Sequence, residues 1–491
     1  MAPQTARTRS HFQLDTPHLW REQAWLAGHW TGARETLAVT DPATGETIGH
    51  IPSLGEAAVV TAIDAAAAAL PAWAALTPDE RADRLLAWYA GMRQHREDLA
   101  RIMTLEEGKP LAEARGEIDY AASFVRWFAE EGRRAYGETI PSHLPGRHLH
   151  TLRQPIGVTA AITPWNFPSA MVTRKAAAAL AAGCPMLVRP ASETPYSALA
   201  LARLAEQAGI PGGIFQVITG DGRSIASALM RDTRVRALSF TGSTEVGKAL
   251  IRQSADTVKR LTLELGGNAP FIVFDDVDLD AAVDGALAAK FQTSGEDCLA
   301  ANRILVQRPL YAAFLERFAA RTAALRVGHG LEPDTDIGPL IDARAVAKAD
   351  QHVSDARERG ARVLTGGKPL GGNFYAPTVV ADVTPDMALF REETFSPVAA
   401  VLAFDDEAEA VRLANDTEYG LVAYCYTADL GRATRLGDAL DYGMVAINCA
   451  KLTGPPIPFG GVKQSGQGRE GSRHGLDEYS ELKYICLGLP G

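Results

Sequence analysis

The chain has 491 residues, room for two or three domains at roughly 100–200 residues each. It is 46% hydrophobic and 22% charged, an ordinary globular composition, and its net charge of −10 argues against holding nucleic acid or an anionic membrane on a basic face. No segment approaches 18 uninterrupted apolar residues, so no transmembrane helix is expected.

Residues 1–17 carry Arg7 and Arg9 but no apolar stretch of a secretory signal, and are read as a short tail rather than a transit peptide. From residue 54 to about 136 the pattern is helical. Thr77-Pro78-Asp79-Glu80 combines an N-cap residue, Pro at the first helical position and early acids, predicting a helix over 79–103 that stops near Glu107-Gly108-Lys109-Pro110. Residues 137–156 then read as two short strands forming a protruding hairpin.

Beyond the hairpin, strands at 157–162, 185–189, 215–219 and 235–240 alternate with helices at 169–182, 196–207 and 223–230. That alternation predicts a parallel, doubly wound sheet, the usual setting for a dinucleotide. A second alternating block runs from 261 to about 448, with strands at 269–274, 302–307, 363–365, 399–404 and 422–426 and helices at 311–324 and 343–359. Residues 479–487 read as a final strand.

Four segments depart from what packing alone would choose. Thr163-Pro164-Trp165-Asn166-Phe167-Pro168 follows a strand, and its two prolines fix a loop where open α/β sheets place ligands, although Asn166 taken singly is a common turn residue. In the stretch 240–248, FTGSTEVGK, a strand ends, Gly242 permits close backbone approach and a helix begins, so free N–H groups and the helix dipole suit a phosphate. An ordinary helix cap would look similar.

The third segment, Leu263-Glu264-Leu265-Gly266-Gly267, sets one carboxylate in an apolar strand. If buried, Glu264 should be hard to ionise, which suits a general base near neutral pH; a surface Glu at a strand edge is the plainer alternative. The fourth, 291–300, holds Cys298 in a polar, Gly-containing loop. Most isolated cysteines are packed as small hydrophobes, and Cys184, Cys425, Cys449 and Cys486 are read that way. The odd count without a CxxC pair fits a reducing cytoplasm. Glu296 and Asp297 would raise the Cys298 thiol pKa if they faced it.

No metal is expected. Residues 275–280 resemble a calcium loop but lack its Gly and distant Glu, and instead cap the following helix. His143, His148 and His150 alternate on an exposed strand with no fourth ligand in view.

Taken together, the segments resemble the aldehyde dehydrogenase superfamily, and within it the succinate-semialdehyde dehydrogenase branch. TPWNFP at 163–168, FTGSTEVGK at 240–248, ELGGNAP at 264–270 and GEDC at 295–298 follow the family's order. EETFSP at 392–397, NDTEYGL at 415–421 and PFGGVKQSGQGREGS at 458–472 continue it, so the match covers essentially the whole chain.

The resemblance implies an α/β architecture. A doubly wound parallel-sheet cofactor domain (1–136 and 157–262) would join an α/β catalytic domain (263–448). Oligomerisation β-arms (137–156 and 479–491) would build a homodimer or homotetramer, and 449–478 would form the substrate-pocket loop and return to the cofactor domain. It further implies Cys298 as nucleophile, Asn166 as oxyanion donor and Glu264 as the base that activates water. Trp165, Gly222, Gly242, Ser243 and Leu265 match cofactor-lining positions, Glu393 matches the residue on the nicotinamide ribose, and Phe395 lies at the nicotinamide end.

Arg189-Pro190-Ala191-Ser192 stands where the family more usually has Lys-Pro-(Ala/Ser)-Glu. Ser192 removes the charge that would repel a 2′-phosphate and Arg189 offers a fork for it, so NADP+ is expected beside NAD+. On the substrate side, Phe167 and Phe459 match wall positions and Arg174 matches an arginine that grips the substrate carboxylate. The branch's second arginine falls at Gln292 and a serine donor near Gly454, with Thr453 as partial compensation. Glu296 replaces a usual Gln, and Ser396 a usual Gly.

The expected activity is NAD(P)+-dependent oxidation of a small aldehyde in the cytoplasm, with succinate semialdehyde or a related semialdehyde as first substrate. Another aliphatic or ω-substituted aldehyde, a CoA-acylating reaction and a non-catalytic scaffold are the alternatives. Glu264 argues against the CoA-acylating reaction, and the joint presence of Cys298, Glu264 and Asn166 argues against the scaffold.

Overall fold

Short runs rich in Val, Ile and Leu, buried on both faces, build two parallel sheets with helices packed against them. The computed structural model describes residues 13–488. In the first sheet, Phe215–Val217, Met186–Arg189, Val158–Ile162, Val235–Thr241 and Arg260–Glu264 lie side by side and parallel. Chain order reverses between Val158–Ile162 and Val235–Thr241, which opens a crevice at the carboxyl ends of those two strands. The loops that leave them carry Trp165-Asn166-Phe167 and Gly242-Ser243, so the topology alone puts two of the four singled-out segments at one place.

Antiparallel strands extend this sheet at both edges, Ala24–Leu26 and His29–Thr31 on one side and Gly466–Gln467 on the other. One face of the sheet packs Val158, Leu187 and Leu238 with Val59, Ile63, Ile225 and Leu229, and the other carries the larger cluster of the long helices around Trp88, Phe124 and Phe128. Helix Glu56–Ala74 is long and apolar enough to cross a membrane by length and composition, but here its Val59, Ile63 and Ala66 are packed into the first of these clusters.

The second sheet has the order Arg362–Thr365, Thr378–Ala381, Val398–Phe404, Ala301–Gln307, Ala269–Val273, Val422–Tyr426, Met444–Ile447, parallel except for its first edge strand. Arg260–Glu264 therefore belongs wholly to the first sheet and does not open the second block as its sequence position suggested. Its register against Val235–Thr241 fixes this, Thr241 lying opposite Glu264.

The expected single helix over 79–103 is two, Pro78–Gln94 and Arg96–Glu107, with His95 outside helical geometry at the junction. The break is held by distant chain: Asp98 accepts the N–H groups of Asp15 and Thr16 at 2.8 Å, and Arg96 forms a two-pronged pair with Asp119. Those same bonds tie down the N-terminal segment from Asp15 onward; residues 1–12 of the expected tail lie outside the described residues. Local signals fared better at the ends. Thr77 and Glu80 form a reciprocal capping box, Gly108 closes Arg96–Glu107 with φ 97°, and Asp278 caps Leu279–Phe291.

The hairpin at 137–156 forms through Thr139–Ile140 and Arg147–Pro155, and the final strand Ser480–Gly488 pairs along the whole of Arg147–Pro155. The two predicted arms are thus one three-stranded sheet.

Candidate active site

Cys298 sits just after a strained turn. Helix Leu279–Phe291 ends, and Thr293, Ser294 and Gly295 all take positive φ (50°, 55° and 76°) before the chain reaches the cysteine. Positive φ costs a residue with a Cβ about 1–2 kcal/mol, so the turn needs outside support. It has it: Glu113 accepts the Thr293 N–H at 2.8 Å, and Gly295 packs on the Ser396 carbonyl so closely that any side chain there would collide. Asp297 accepts the Leu299 N–H at 2.9 Å, and Gly267 lies against the Cys298 carbonyl.

Asn166 lies in the loop after Val158–Ile162 and is 4% exposed. Its side-chain amide donates to the Glu296 carbonyl at 2.9 Å, while Lys109 donates to its own carbonyl at 2.6 Å. An amide has two N–H groups, so the other remains for an oxyanion beside the cysteine loop. Lys109 is in turn held by Glu117 at 2.7 Å.

Glu264 ends the strand Arg260–Glu264 and is 2% exposed, which excludes the surface alternative. Neither carboxylate oxygen has a hydrogen-bond partner among the described residues. Burial, and then the negative charge of Glu470, push its pKa well above the carboxylate range. Gly460 makes room for it; a Cβ there would fall 2.9 Å from Glu264 Oε1.

Burial also pushes the Cys298 thiol up, with Asp297 next and Glu393 after it, while Arg174 pulls it down. The expectation for the two neighbouring acids is thus half met. Asp297 acts on the sulfur, but Glu296 is turned away and accepts the Ile341 N–H at 3.1 Å. It is buried beside Glu107, and that burial keeps its own carboxyl protonated well above the usual range.

A cavity of about 920 Å³ opens onto the cysteine. Cys298, Phe167, Arg174, Gln292, Thr453 and Phe459 all line it, together with Tyr120 and Lys451, whereas Asn166 and Glu264 do not. The Arg174 guanidinium stacks on Phe459 at 4.1 Å and pairs with Glu470 at 2.5 Å, and the Tyr120 hydroxyl lies close to Thr453 and Arg174.

Several of the residues expected at the cofactor lie near the carboxyl edge of the first sheet. Trp165 and Phe395 meet edge to face at 5.5 Å, and Ser243 caps helix Thr244–Ser254 through the Val246 N–H. Glu393 accepts the Gly267 N–H at 2.9 Å, and Leu265 packs against Gly247. Arg189 donates to Ser192 Oγ at 2.8 Å and to the Gly220 carbonyl at 3.2 Å, lying under Gly222. At Gly222 a Cβ would meet the guanidinium at 2.9 Å, and at Gly242 it would meet the Phe240 ring at 2.6 Å. A bare backbone at a helix start, with an arginine and a hydroxyl beside it, fits a dinucleotide carrying phosphate.

Sequence reasoning missed the polar network behind Glu264. Lys175 pairs with Glu470 and donates to Thr241 Oγ1 at 2.7 Å, and Ser239 donates to Glu470 at 3.0 Å. Lys175 and Arg174 outweigh the burial of Glu470 and hold its carboxyl low. A lysine inside the Ala-rich helix Ala170–Ala182 was the available signal, but its partner lies 295 residues away.

Among curated proteins, the chain is 58% identical to an aspartate-semialdehyde dehydrogenase (non-phosphorylating) of Halomonas elongata, covering 98% of each chain. It is 54% identical to a succinate-semialdehyde dehydrogenase [NADP(+)] of Escherichia coli over 97% of this chain and 100% of the other. A solved Escherichia coli structure described as an NADP-dependent enzyme superposes with a TM-score of 0.96, at 54% identity, over 97% of this chain and 100% of that one. Residues 30–485 match the aldehyde dehydrogenase family, and this chain belongs to that family.

Proposed function

We propose that this enzyme oxidises a semialdehyde bearing an anionic group at its far end, using NADP+ or NAD+, with Cys298 as nucleophile. The observation that carries the reading is Arg174, buried in the wall of the same cavity as Cys298 and stacked on Phe459. Relatives named for aspartate and succinate semialdehydes support it.

In the proposed mechanism, Cys298 as thiolate attacks the aldehyde carbon, and the free Asn166 N–H together with the Cys298 backbone N–H receives the oxyanion. NAD(P)+, when bound, supplies the hydride acceptor. Loss of hydride from the thiohemiacetal leaves a thioester on Cys298. Glu264 then takes a proton from water, whose oxygen attacks the thioester carbon and frees the acid and the thiol. Glu393, Leu265, Trp165, Phe395, Gly222, Gly242 and Ser243 orient the cofactor, and Arg189 with Ser192 would face its 2′ position. The two sheets and the three-stranded arm sheet support a division into cofactor domain, catalytic domain and arms.

A kcat/KM panel of aldehydes with and without an ω-carboxylate, run with both cofactors, tests the reading. The ω-anionic aldehydes should be preferred, and NADP+ should be used with any NAD+ preference below about a hundredfold, roughly 2.7 kcal/mol. Equal rates on charged and uncharged aldehydes, or a larger NAD+ preference, would contradict the corresponding part.

A cytoplasmic homodimer or homotetramer is the assembly we infer. The arm sheet leaves Leu482, Tyr484 and Leu487 exposed and, among the described residues, the outer edges of its two outer strands without a partner, a surface that invites a second copy. Light scattering at micromolar concentration should give at least a dimer; a monomer there rules the assembly out.

A further inference from the structure

Three cationic side chains line the cavity in front of Cys298: Lys109, Arg174 and Lys451. Two also hold partners within the protein. Lys109 is held by Glu117 and the Asn166 carbonyl, and Arg174 by Glu470. The other acids of the wall have partners too, Glu113 in the Thr293 N–H, Asp297 in the Leu299 N–H, Asp119 in Arg96 and Asp336 in the Arg326 N–H. Lys451 is exposed at the rim and makes no ion pair or hydrogen bond among the described residues.

The backbone that carries it is not loose. Pro455 O accepts the Ser472 N–H at 2.7 Å, and Tyr120 reaches Thr453, so the rim loop is anchored while the lysine stem is free. Across the cavity, Gln292 offers an amide but no charge.

Building on the reading of an ω-anionic aldehyde, we propose that Lys451 is the specificity-determining residue that supplies the second positive charge for the substrate's anionic tail. An ammonium is a compact charge on a flexible four-carbon stem, whereas a guanidinium is a rigid fork. A rim lysine can therefore meet anions at several depths, and this enzyme selects the tail's charge while tolerating its distance from the aldehyde. Four- and five-carbon ω-carboxylate aldehydes should have kcat/KM within about tenfold of each other, since no fixed second fork measures the length.

The test compares wild type with Lys451→Met, Lys451→Arg and Lys451→Glu on ω-carboxylate aldehydes and on uncharged aldehydes of equal length. The expected result for Lys451→Met is a fall of about tenfold to thirtyfold in the anionic-over-uncharged kcat/KM ratio, carried by KM rather than kcat. Lys451→Arg should restore most of the ratio and Lys451→Glu should lower it further. Raising the salt concentration should weaken wild type on the anionic substrate more than Lys451→Met. A ratio within twofold of wild type in Lys451→Met overturns the role of Lys451 while leaving the semialdehyde reading intact. A wild-type ratio near one overturns that reading, and the inference with it.

Discussion

Replacing Cys298 with serine should cut aldehyde oxidation by at least about a thousandfold, some 4 kcal/mol of transition-state stabilisation, with folding unchanged. The exchange alters one atom in a partly exposed side chain, so the turn at Thr293–Gly295 and its bond to Glu113 stay in place. What is lost is chemistry, since a hydroxyl is a poorer nucleophile and leaving group than a thiolate. Steady-state rates beside a thermal melt check this, and a Cys298→Ser protein with full turnover would refute the mechanism.

Replacing Glu264 with glutamine should separate the two halves of the reaction. The first turnover should still release a burst of NAD(P)H, because attack by sulfur and hydride loss do not need this base. Deacylation should slow by about a hundredfold to ten-thousandfold, the usual worth of a positioned base. Normal steady-state turnover in Glu264→Gln would contradict the role.

The pH dependence follows from the same burial. Both Cys298 and Glu264 act in their deprotonated forms, and both have pKa values raised by burial. Activity should therefore climb as pH rises through those raised values and fall below them. In Glu264→Gln the burst should keep the cysteine limb, while the slow steady-state phase loses the carboxyl limb. Persistence of the full wild-type profile in the slow phase would mean that another group is the base.

Much of this molecule is written in local pattern. Apolar strands such as Val422–Tyr426, caps such as Thr77 and Asp278, and the loops at 163–168 and 240–248 were legible because periodicity and turn chemistry act over a few residues. The break at His95 and the sheet membership of Arg260–Glu264 were not, because chain far away in sequence decides both. In the same way, Glu296 and Asp297 are chemically alike and adjacent, yet only the one whose carboxylate faces the sulfur bears on it.

The motifs named Cys298, Asn166 and Glu264 as a set, since each residue type suits one step of one reaction. Only the folded chain decides their state. Burial and the charge of Glu470 keep Glu264 protonated to higher pH, and Arg174 opposes the rise in the Cys298 thiol pKa. Among the described residues, Lys451 stands unpaired where the other charges of the cavity have partners. Residue identity follows from covalent order, but ionisation and pairing are set by desolvation and by neighbours that only tertiary packing brings within reach.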